Sequence, residues 1–333
     1  MPSLLIGEKL KSKYDKNYFV VIRFIASGAQ GEVYEVTDKK NRTFALKWYF
    51  KHSATDHQKR QIERLVDRGS PDGRFLWPVE LVVRNDTFGY IMRLRPSTYK
   101  GIVDLMKRKA VPTFRTLCSV GINLSEAFRS LHSSGLCYRD VSFNNLFFDP
   151  SDGNVMICDT DNVTVNMDTH GGIIGTPRFI APEIVTQRKA PSTYTDLHSI
   201  AVLLFYLFMS HHPLEGAIEA EIACLDMTAM SEIYSYNPIF IWDEENTSNR
   251  PVGGYQDNAI IFWNIYPQFI RDLFHRTFTK GLFDINHRVV ELLWIDAFTR
   301  LKDSIVNCED CLCENFADFS RPRNCWNCNS PIV

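Results

Sequence analysis

Tyr138-Arg139-Asp140-Val141-Ser142-Phe143-Asn144-Asn145 begins the stretch of sequence that decides the fold. The stretch continues with Ile157-Cys158-Asp159-Thr160-Asp161 and ends with Gly175-Thr176-Pro177-Arg178-Phe179-Ile180-Ala181-Pro182-Glu183. Between the first two pieces, apolar residues on both sides of the turn-forming segment 149–154 predict a β-hairpin. One such motif alone is a weak signal, but three motifs in order and at fixed spacing are a strong one.

A glycine-containing hairpin and a lysine on a strand lie upstream of this stretch. The alternating run Tyr18–Ile25 predicts a strand, and it leads into Ala26-Ser27-Gly28-Ala29-Gln30-Gly31-Glu32-Val33-Tyr34. Small residues at a hairpin tip let backbone N–H groups approach phosphate oxygens, because no Cβ intervenes. By itself the segment is better explained as an ordinary tight hairpin. The strand Thr43–Tyr49 that follows carries Lys47.

Together these pieces resemble protein kinases. The stretch from Tyr138 to Glu183 resembles their catalytic loop, metal-binding Asp motif and the A-P-E end of the activation segment. The hairpin resembles their glycine-rich loop, with Ala26 in place of the first glycine. The resemblance covers most of the chain and implies an α+β, two-lobed fold: an N-lobe with an antiparallel sheet at 1–95, a mainly helical C-lobe at 96–302, and a separate tail at 303–333.

The resemblance also implies a role for each site residue. Asp140 is expected to act as the base on the acceptor hydroxyl, Asn145 and Asp159 to hold Mg²⁺, and Lys47 to contact the ATP phosphates. Glu63, on a predicted helix over 57–68, is the expected ion-pair partner of Lys47, with Asp67 as its competitor. The residues expected to bind ATP are Ala26, Gly28, Gly31, Val33, Ala45, Lys47, Met92, Leu94, Asn145 and Asp159.

Three positions depart from the family pattern. Tyr138 stands where a histidine usually precedes Arg-Asp, at a packing position. Ser142 stands where serine/threonine kinases have a lysine that steadies the transferred phosphate. Thr160-Asp161 replaces Phe-Gly. Asp161 is compatible with two interpretations, an additional metal ligand or a site with little activity.

Ser142 also leaves a second class of substrate open, because Asp-x-Ser-x-x-Asn resembles the loops of kinases that act on small molecules. The segment from Gly175 to Glu183 favours a protein acceptor, since it resembles the platform on which protein kinases hold a peptide, with Thr176 near the acceptor. Arg139 suggests control by a phosphate in the activation segment, on Thr169 or on Thr164.

Further downstream, the resemblance assigns structural roles to three charged residues. Asp196, at the start of an apolar helix, is expected to anchor the backbone of the catalytic loop. Arg288 is expected to form a buried pair with Glu183. A helix is predicted over 114–133, where apolar residues recur at helical intervals, and the segment 217–264 is predicted to contain short helices and loops.

The C-terminal tail carries a cysteine pattern typical of zinc sites. Two C-x-x-C pairs, Cys308 with Cys311 and Cys325 with Cys328, supply four thiolates at the spacing of a zinc ribbon. Cys313 could replace Cys308 as a ligand or remain free. Four cysteines leave no open coordination position, so the expected zinc site is structural. Its expected use is to dock a partner or to clamp the lower lobe.

Composition limits the remaining possibilities. The chain is 45% hydrophobic and 23% charged, with a net charge of −2, which argues against general nucleic-acid binding. No apolar run is long enough to span a bilayer and no signal peptide is recognisable, so a cytoplasmic location is expected.

The interpretation that fits best is a divergent eukaryotic-like serine/threonine protein kinase of the bacterial or phage type. Its expected cofactors are ATP, Mg²⁺ and Zn²⁺. Its expected substrate is a protein, which is the kinase itself in the case of autophosphorylation. The alternatives are a pseudokinase that serves as a nucleotide-sensing scaffold and a small-molecule phosphotransferase.

Overall fold

Six antiparallel strands form a closed barrel in the N-terminal part of the chain. The computed structural model describes residues 2–14, 17–167, 175–317 and 323–332. It divides into two compact units, residues 1–97 with 156–163 and residues 98–155 with 164–333. The cysteine-rich tail falls in the second unit.

The first unit contains the barrel and one long helix. Its elements are β1 (Lys9–Ser12), β2 (Tyr18–Ser27), β3 (Gly31–Asp38), β4 (Thr43–Tyr49), α1 (Asp56–Arg68), β5 (Glu80–Arg84) and β6 (Thr87–Arg93). The barrel closes because β1 pairs with both β2 and β5. Its interior is a cluster of buried side chains from β1 to β6 that includes Leu10, Val36 and Leu46.

Strand β5 begins later than the sequence predicts. The run Trp77–Val83 of the sequence predicts a strand, but β5 begins at Glu80. Pro78 has no N–H to donate to a neighbouring strand, and the indole of Trp77 instead donates to the carbonyl of Leu65 on α1 at 2.8 Å. Helix α1 is capped by Thr55, whose side chain accepts from the amide of Gln58.

The second unit is mainly helical. Its helices are α2 (Ile102–Met106), α3 (Phe114–Ser133), α4 (Pro182–Val185), α5 (Thr193–Met209), α6 (Ala217–Ala220), α7 (Met227–Ser231), α8 (Asp257–Ile265), α9 (Gln268–Phe278), α10 (Lys280–Phe283) and α11 (Glu291–Asp303). The predicted helix over 114–133 is confirmed with the same bounds. Helix α5 is buried from Thr195 to Met209, as its apolar sequence requires. Among the described residues, none of the helices combines the length and apolar character needed to cross a membrane.

Short strands make up the rest of the second unit. They are β7 (Lys100–Gly101), β8 (Leu136–Cys137), β9 (Leu146–Phe148), β10 (Val155–Ile157), β11 (Thr164–Val165), β12 (Ile305–Asn307), β13 (Glu314–Phe316), β14 (Arg323–Asn324) and β15 (Pro331–Ile332), of which β10 crosses the boundary between the units. In the tail, β12 pairs with β13 and β14 with β15. The segment 217–264 contains short helices and loops, as predicted.

A buried ion pair joins distant parts of the second unit. The guanidinium of Arg288 donates through two nitrogens to the two carboxylate oxygens of Glu183, at 2.7 and 2.8 Å. Two further donors of Arg288 reach the carbonyls of Tyr194 and Gly281. The pair expected from the sequence is therefore confirmed, and four hydrogen bonds compensate the burial of the guanidinium.

Replacing Arg288 with alanine should destabilise the second unit by about 3–5 kcal/mol, because the carboxylate of Glu183 would remain buried without its cation. Equilibrium unfolding in urea, followed by circular dichroism, measures the change. Arg188→Ala is the matched control, since Arg188 is exposed. Equal stability of the two variants would contradict the structural role of the pair.

Candidate active site

Lys47 lies on the central part of the barrel wall and is almost fully buried. Strand β4 pairs with β3 on one side and β6 on the other, and Val33 and Tyr90 are the register partners of Lys47. Its ammonium group donates to Asp159 Oδ1 at 2.5 Å and to Asp161 Oδ2 at 2.9 Å. The first unit therefore brings the predicted phosphate-binding lysine together with the predicted metal-binding aspartate.

The two carboxylates change the protonation behaviour of this cluster. Burial by itself would lower the pKa of Lys47, but the charges of Asp161 and Asp159 outweigh it and raise the pKa well above its ordinary value. Burial and the neighbouring charge of Asp161 raise the pKa of Asp159, and Lys47 opposes that rise. Lys47 is consequently a cation at neutral pH.

The pair between Lys47 and Glu63 that the sequence predicts is not present in this structure. The carboxylate of Glu63 accepts from Lys13 at 2.5 Å, on a partly exposed face of α1. Asp161 supplies a second carboxylate to Lys47 instead. The sequence does not predict this contact, because the motif at Asp161 indicates only an additional metal ligand or a site with little activity.

Most residues expected to bind ATP lie on the strands around Lys47. Ala26 pairs with Val33 across the hairpin, and Ala45 pairs with Met92 across β4 and β6. Leu94 follows β6 directly and is half-buried. The ATP-binding role of these residues remains a prediction.

The hairpin tip itself is tightly turned. The amide of Gly28 donates to the carbonyl of Gly31 at 2.9 Å. A Cβ on Gly31 would overlap the backbone of Trp48 on the neighbouring strand, so only glycine fits there.

Asp140 and Asn145 lie together in the second unit. The side-chain amide of Asn145 donates to the backbone carbonyl of Asp140 at 2.8 Å, and it lies 3.4 Å from the Asp140 carboxylate. The hydroxyl of Thr176 donates to the other carboxylate oxygen of Asp140 at 2.9 Å. These contacts fix the carboxylate that is expected to act as the base, and they connect it to the segment that ends at Glu183.

The loop that carries Asp140 is anchored by Asp196, as the sequence predicts. The buried carboxylate of Asp196 accepts from the backbone amides of Tyr138 at 2.5 Å and Arg139 at 2.9 Å. Arg139 has a left-handed backbone with φ of 76°, and Asp159 in the first unit has φ of 58°. Strained backbone of this kind persists where surrounding contacts fix it, often at functional sites.

The segment after Gly175 is held by contacts that the sequence did not predict. Ser199 on α5 donates to the carbonyl of Phe179 at 2.6 Å. The guanidinium of Arg178 pairs with Glu215 at 3.2 Å, and the hydroxyl of Tyr234 donates to the same carboxylate at 2.5 Å. Glu215 and Tyr234 lie far along the chain in segments without a recognisable pattern, so only their packing shows the connection.

The two predicted phosphorylation sites have different outcomes. Thr164 is buried in the short strand β11, which pairs with β8. Thr169 lies outside the described residues. Ser142, which stands at the position of the missing lysine, is also buried.

Four cysteines of the tail form a compact sulfur cluster. The Sγ atoms of Cys308, Cys311, Cys325 and Cys328 all lie within 4.8 Å of one another, and two of these pairs are 3.5 Å apart. Tetrahedral Zn²⁺ with bonds of about 2.3 Å would separate its sulfur ligands by about 3.8 Å. The cluster could therefore hold a metal ion. Cys313 is not one of its members.

The tail packs onto the beginning of α3. Phe316 lies 5.0 Å from the ring of Phe114 and 5.4 Å from the ring of Tyr266. Trp326, between the last two cysteines of the cluster, donates to the carbonyl of Glu314 at 2.8 Å. The Glu314 carboxylate in turn accepts from the amide of Arg115 at 3.0 Å.

The site residues thus belong to two groups, one in each unit. Lys47 and Asp159 belong to the first unit, together with Asp161, whereas Asp140 and Asn145 belong to the second. The two predicted Mg²⁺ ligands, Asn145 and Asp159, are therefore on different units, and their joint role remains a prediction.

His132 gives the second unit a specific pH dependence. Its ring contacts the carboxylates of Asp196, at 3.1 Å, and Glu291. Burial by itself would lower the pKa of His132, but these hydrogen bonds and charges raise it to about 9. Because the pKa is raised in the folded state, protonated His132 stabilises the fold. This contribution is complete below the unfolded-state pKa of about 6.5, and it is lost as the pH rises through about 9.

Stability measured by urea unfolding between pH 6 and pH 10 should fall over this window by up to about 3 kcal/mol. The variant His132→Gln should be less stable at pH 6, and its stability should vary less with pH. His287→Gln, which changes a half-exposed histidine of the same unit, should retain the wild-type profile. An unchanged profile for His132→Gln would assign the pH dependence to another group.

The comparisons with known proteins agree with this geometry. The family model described as "Protein kinase domain" matches residues 19–280. "Putative ribosomal protein S6 kinase alpha-1" of Caenorhabditis elegans is 27% identical over 222 residues, which are 62% of this chain and 27% of that protein. "Serine/threonine-protein kinase SCH9" of Saccharomyces cerevisiae is 24% identical over 210 residues, 61% of this chain and 25% of that protein.

A third relative matches a shorter region. "Dual serine/threonine and tyrosine protein kinase" of Gallus gallus is 29% identical over 127 residues, 38% of this chain and 13% of that protein. The chain thus spans about a quarter of the length of the first two relatives and less of the third. The family model itself covers well over half of the chain, and the chain therefore belongs to the protein kinase family.

Proposed function

We propose that this chain is an ATP-dependent serine/threonine kinase that phosphorylates a protein hydroxyl, its own hydroxyls included. In this proposal the first unit is the N-lobe and the second unit the C-lobe, with Lys47 at the ATP phosphates. Protein kinases in general use ATP and Mg²⁺. The names of several relatives, which are serine/threonine kinases at modest identity, support the choice of acceptor.

The observation that carries the proposal is the pair of contacts on Asp140. Its carboxylate accepts a hydrogen bond from Thr176, and Asn145 holds the backbone of the same residue. Thr176 begins the segment that resembles a peptide platform, which a small-molecule kinase would not need. The contact therefore favours a protein acceptor over a metabolite.

The chemistry follows from the groups on each unit. The acceptor hydroxyl oxygen forms a bond to the γ-phosphorus of ATP, the bond from that phosphorus to the bridging oxygen of ADP breaks, and Asp140 takes the hydroxyl proton. Lys47 offsets negative charge on the phosphates. Asn145 and Asp159 would hold Mg²⁺, and the ion would supply positive charge to offset the charge of the phosphates.

Incubation with labelled ATP and Mg²⁺ should label protein, and Asp140→Asn should reduce the rate at least about a hundredfold because the base is lost. Quantitative autoradiography measures the labelled protein, and an assay of released ADP measures the second product. Asp303→Asn is the matched control, since it removes a charge from an exposed position of the same unit. ATP binding without transfer would instead support the scaffold function. Transfer only to added small hydroxyl compounds would support the metabolite kinase.

The tail is proposed to hold one structural Zn²⁺ at Cys308, Cys311, Cys325 and Cys328. The sulfur distances and the absence of a fifth ligand within the cluster, as far as the described residues show, support a closed site. The aromatic contacts of Phe316 favour the clamp on the C-lobe, and docking of a partner protein remains a second use of the same tail.

Purified protein should contain about one zinc per chain. Cys325→Ser should lose most of this zinc, whereas Cys313→Ser should keep it, because Cys313 lies outside the sulfur cluster. Elemental analysis of the dialysed proteins checks both expectations. Loss of zinc from both variants alike would mean that the ligand set is different.

The Asp-x-Asp motif combined with a cysteine ribbon supports our assignment to the divergent eukaryotic-like kinases of the bacterial or phage type. We also propose a cytoplasmic location and no direct binding to membranes. The near-neutral charge of the chain supports a further proposal, that it does not bind nucleic acid directly.

A further inference from the structure

Asp161 is the most buried member of the charged cluster in the first unit. Its side chain has 0% exposure, whereas the side chain of Asp159 is 35% exposed. Both carboxylates contact the ammonium group of Lys47. The difference in exposure separates their roles: Asp159 is accessible to a ligand, and Asp161 is enclosed by protein.

Contacts with Oδ2 and with the backbone carbonyl fix Asp161 in place, whereas its Oδ1 is buried without a hydrogen-bond partner in the described part of the chain. The hydroxyl of Tyr49, two residues from Lys47 on β4, donates to the same Oδ2 that Lys47 contacts. The side-chain amide of Gln58 on α1 donates to the backbone carbonyl of Asp161 at 3.3 Å. A buried carboxylate is costly unless it is paired and hydrogen-bonded, and Oδ2 of Asp161 meets both conditions.

Helix α1 contributes no carboxylate to this cluster in the described part of the chain. Its inward face carries Gln58 and Gln61, whose amides donate to the carbonyls of Asp161 and Val163. With 3.6 residues per turn, Glu63 lies about 140° around the helix from Gln58, and it pairs with Lys13. The helix is thus joined to segment 159–163 by neutral amides and not by an ion pair with Lys47.

We propose that Asp161 is the positioning residue for Lys47. It holds the ammonium group on β4 in the orientation that the phosphates require, and the more exposed Asp159 is then the carboxylate that would hold Mg²⁺. The family resemblance gives the role of ion-pair partner of Lys47 to Glu63 on α1. In this chain Asp161, which replaces the glycine of the family motif, performs that role. This inference rests on the proposed kinase function, because Lys47 has phosphates to contact only in that case.

Asp161→Asn keeps the size of the side chain and removes its charge, so it tests the proposal directly. At saturating ATP and Mg²⁺, kcat should fall about tenfold or more while KM for ATP stays within about threefold, because nucleotide binding does not depend on the orientation of Lys47 alone. Asp86→Asn, at an exposed position of the same unit, should leave both constants unchanged.

Tyr49→Phe provides an independent test should Asp161→Asn fail to fold. It removes only the hydroxyl that holds Asp161, so kcat should fall by about threefold or more with the same KM for ATP. In Asp161→Asn/Tyr49→Phe the two losses should not add, because both act through Lys47. An unchanged kcat in Tyr49→Phe, or strictly additive losses, would contradict the proposal.

Three other outcomes would also overturn it. The first is a kcat of Asp161→Asn within twofold of the wild type. The second is recovery of that variant at high Mg²⁺, which would make Asp161 a metal ligand. The third is an equal loss of kcat in Glu63→Gln, which would assign the positioning role to the carboxylate on α1. Absence of phosphoryl transfer by the wild-type protein is a separate result. It would refute the proposed function and this inference with it, whereas the other outcomes refute only the role of Asp161.

Discussion

The second unit depends on one buried carboxylate, that of Asp196. It lies in the first turn of α5, the helix that is buried along almost its whole length, and it accepts the backbone amides of Tyr138 and Arg139. The left-handed backbone of Arg139 is tolerable because these hydrogen bonds compensate its cost. Hydrogen bonds to the buried helix α5 therefore set the position of Asp140, and the loop that carries Asp140 is an extension of the helical core.

The first unit positions its charged residue differently. The backbone of Lys47 is held by β4, which is hydrogen-bonded to a strand on each side. Its ammonium group is held by the carboxylates of Asp159 and Asp161, which follow β10. A motif comparison could not find this arrangement, because it assigns Glu63 by position in the sequence. The helical period, applied to the buried residues Ile62 and Leu65, would have placed Glu63 on the outer face and Gln58 on the inner one.

Patterns within one element predicted that element well, and contacts between elements were predicted only where a family motif named both partners. The helix over 114–133 is an element that its own pattern predicted. The pair of Glu183 with Arg288 is a contact that the family motif predicted. Strand β1 was not predicted, because four residues with two lysines carry almost no periodic signal, although β1 closes the barrel. Spacing alone also could not decide whether Cys313 belongs to the sulfur cluster, since that depends on how the tail folds back on itself.

The composition of the Lys47 cluster has an electrostatic consequence. One ammonium group faces two carboxylates, so the cluster carries a net charge of −1 when all three groups are ionised. A free polyphosphate that approaches it meets like charge, and a low-dielectric surrounding strengthens that repulsion. A polyphosphate that arrives with a divalent cation brings the missing positive charge. In the function proposed above, this charge balance would favour the metal complex of the nucleotide over the bare nucleotide.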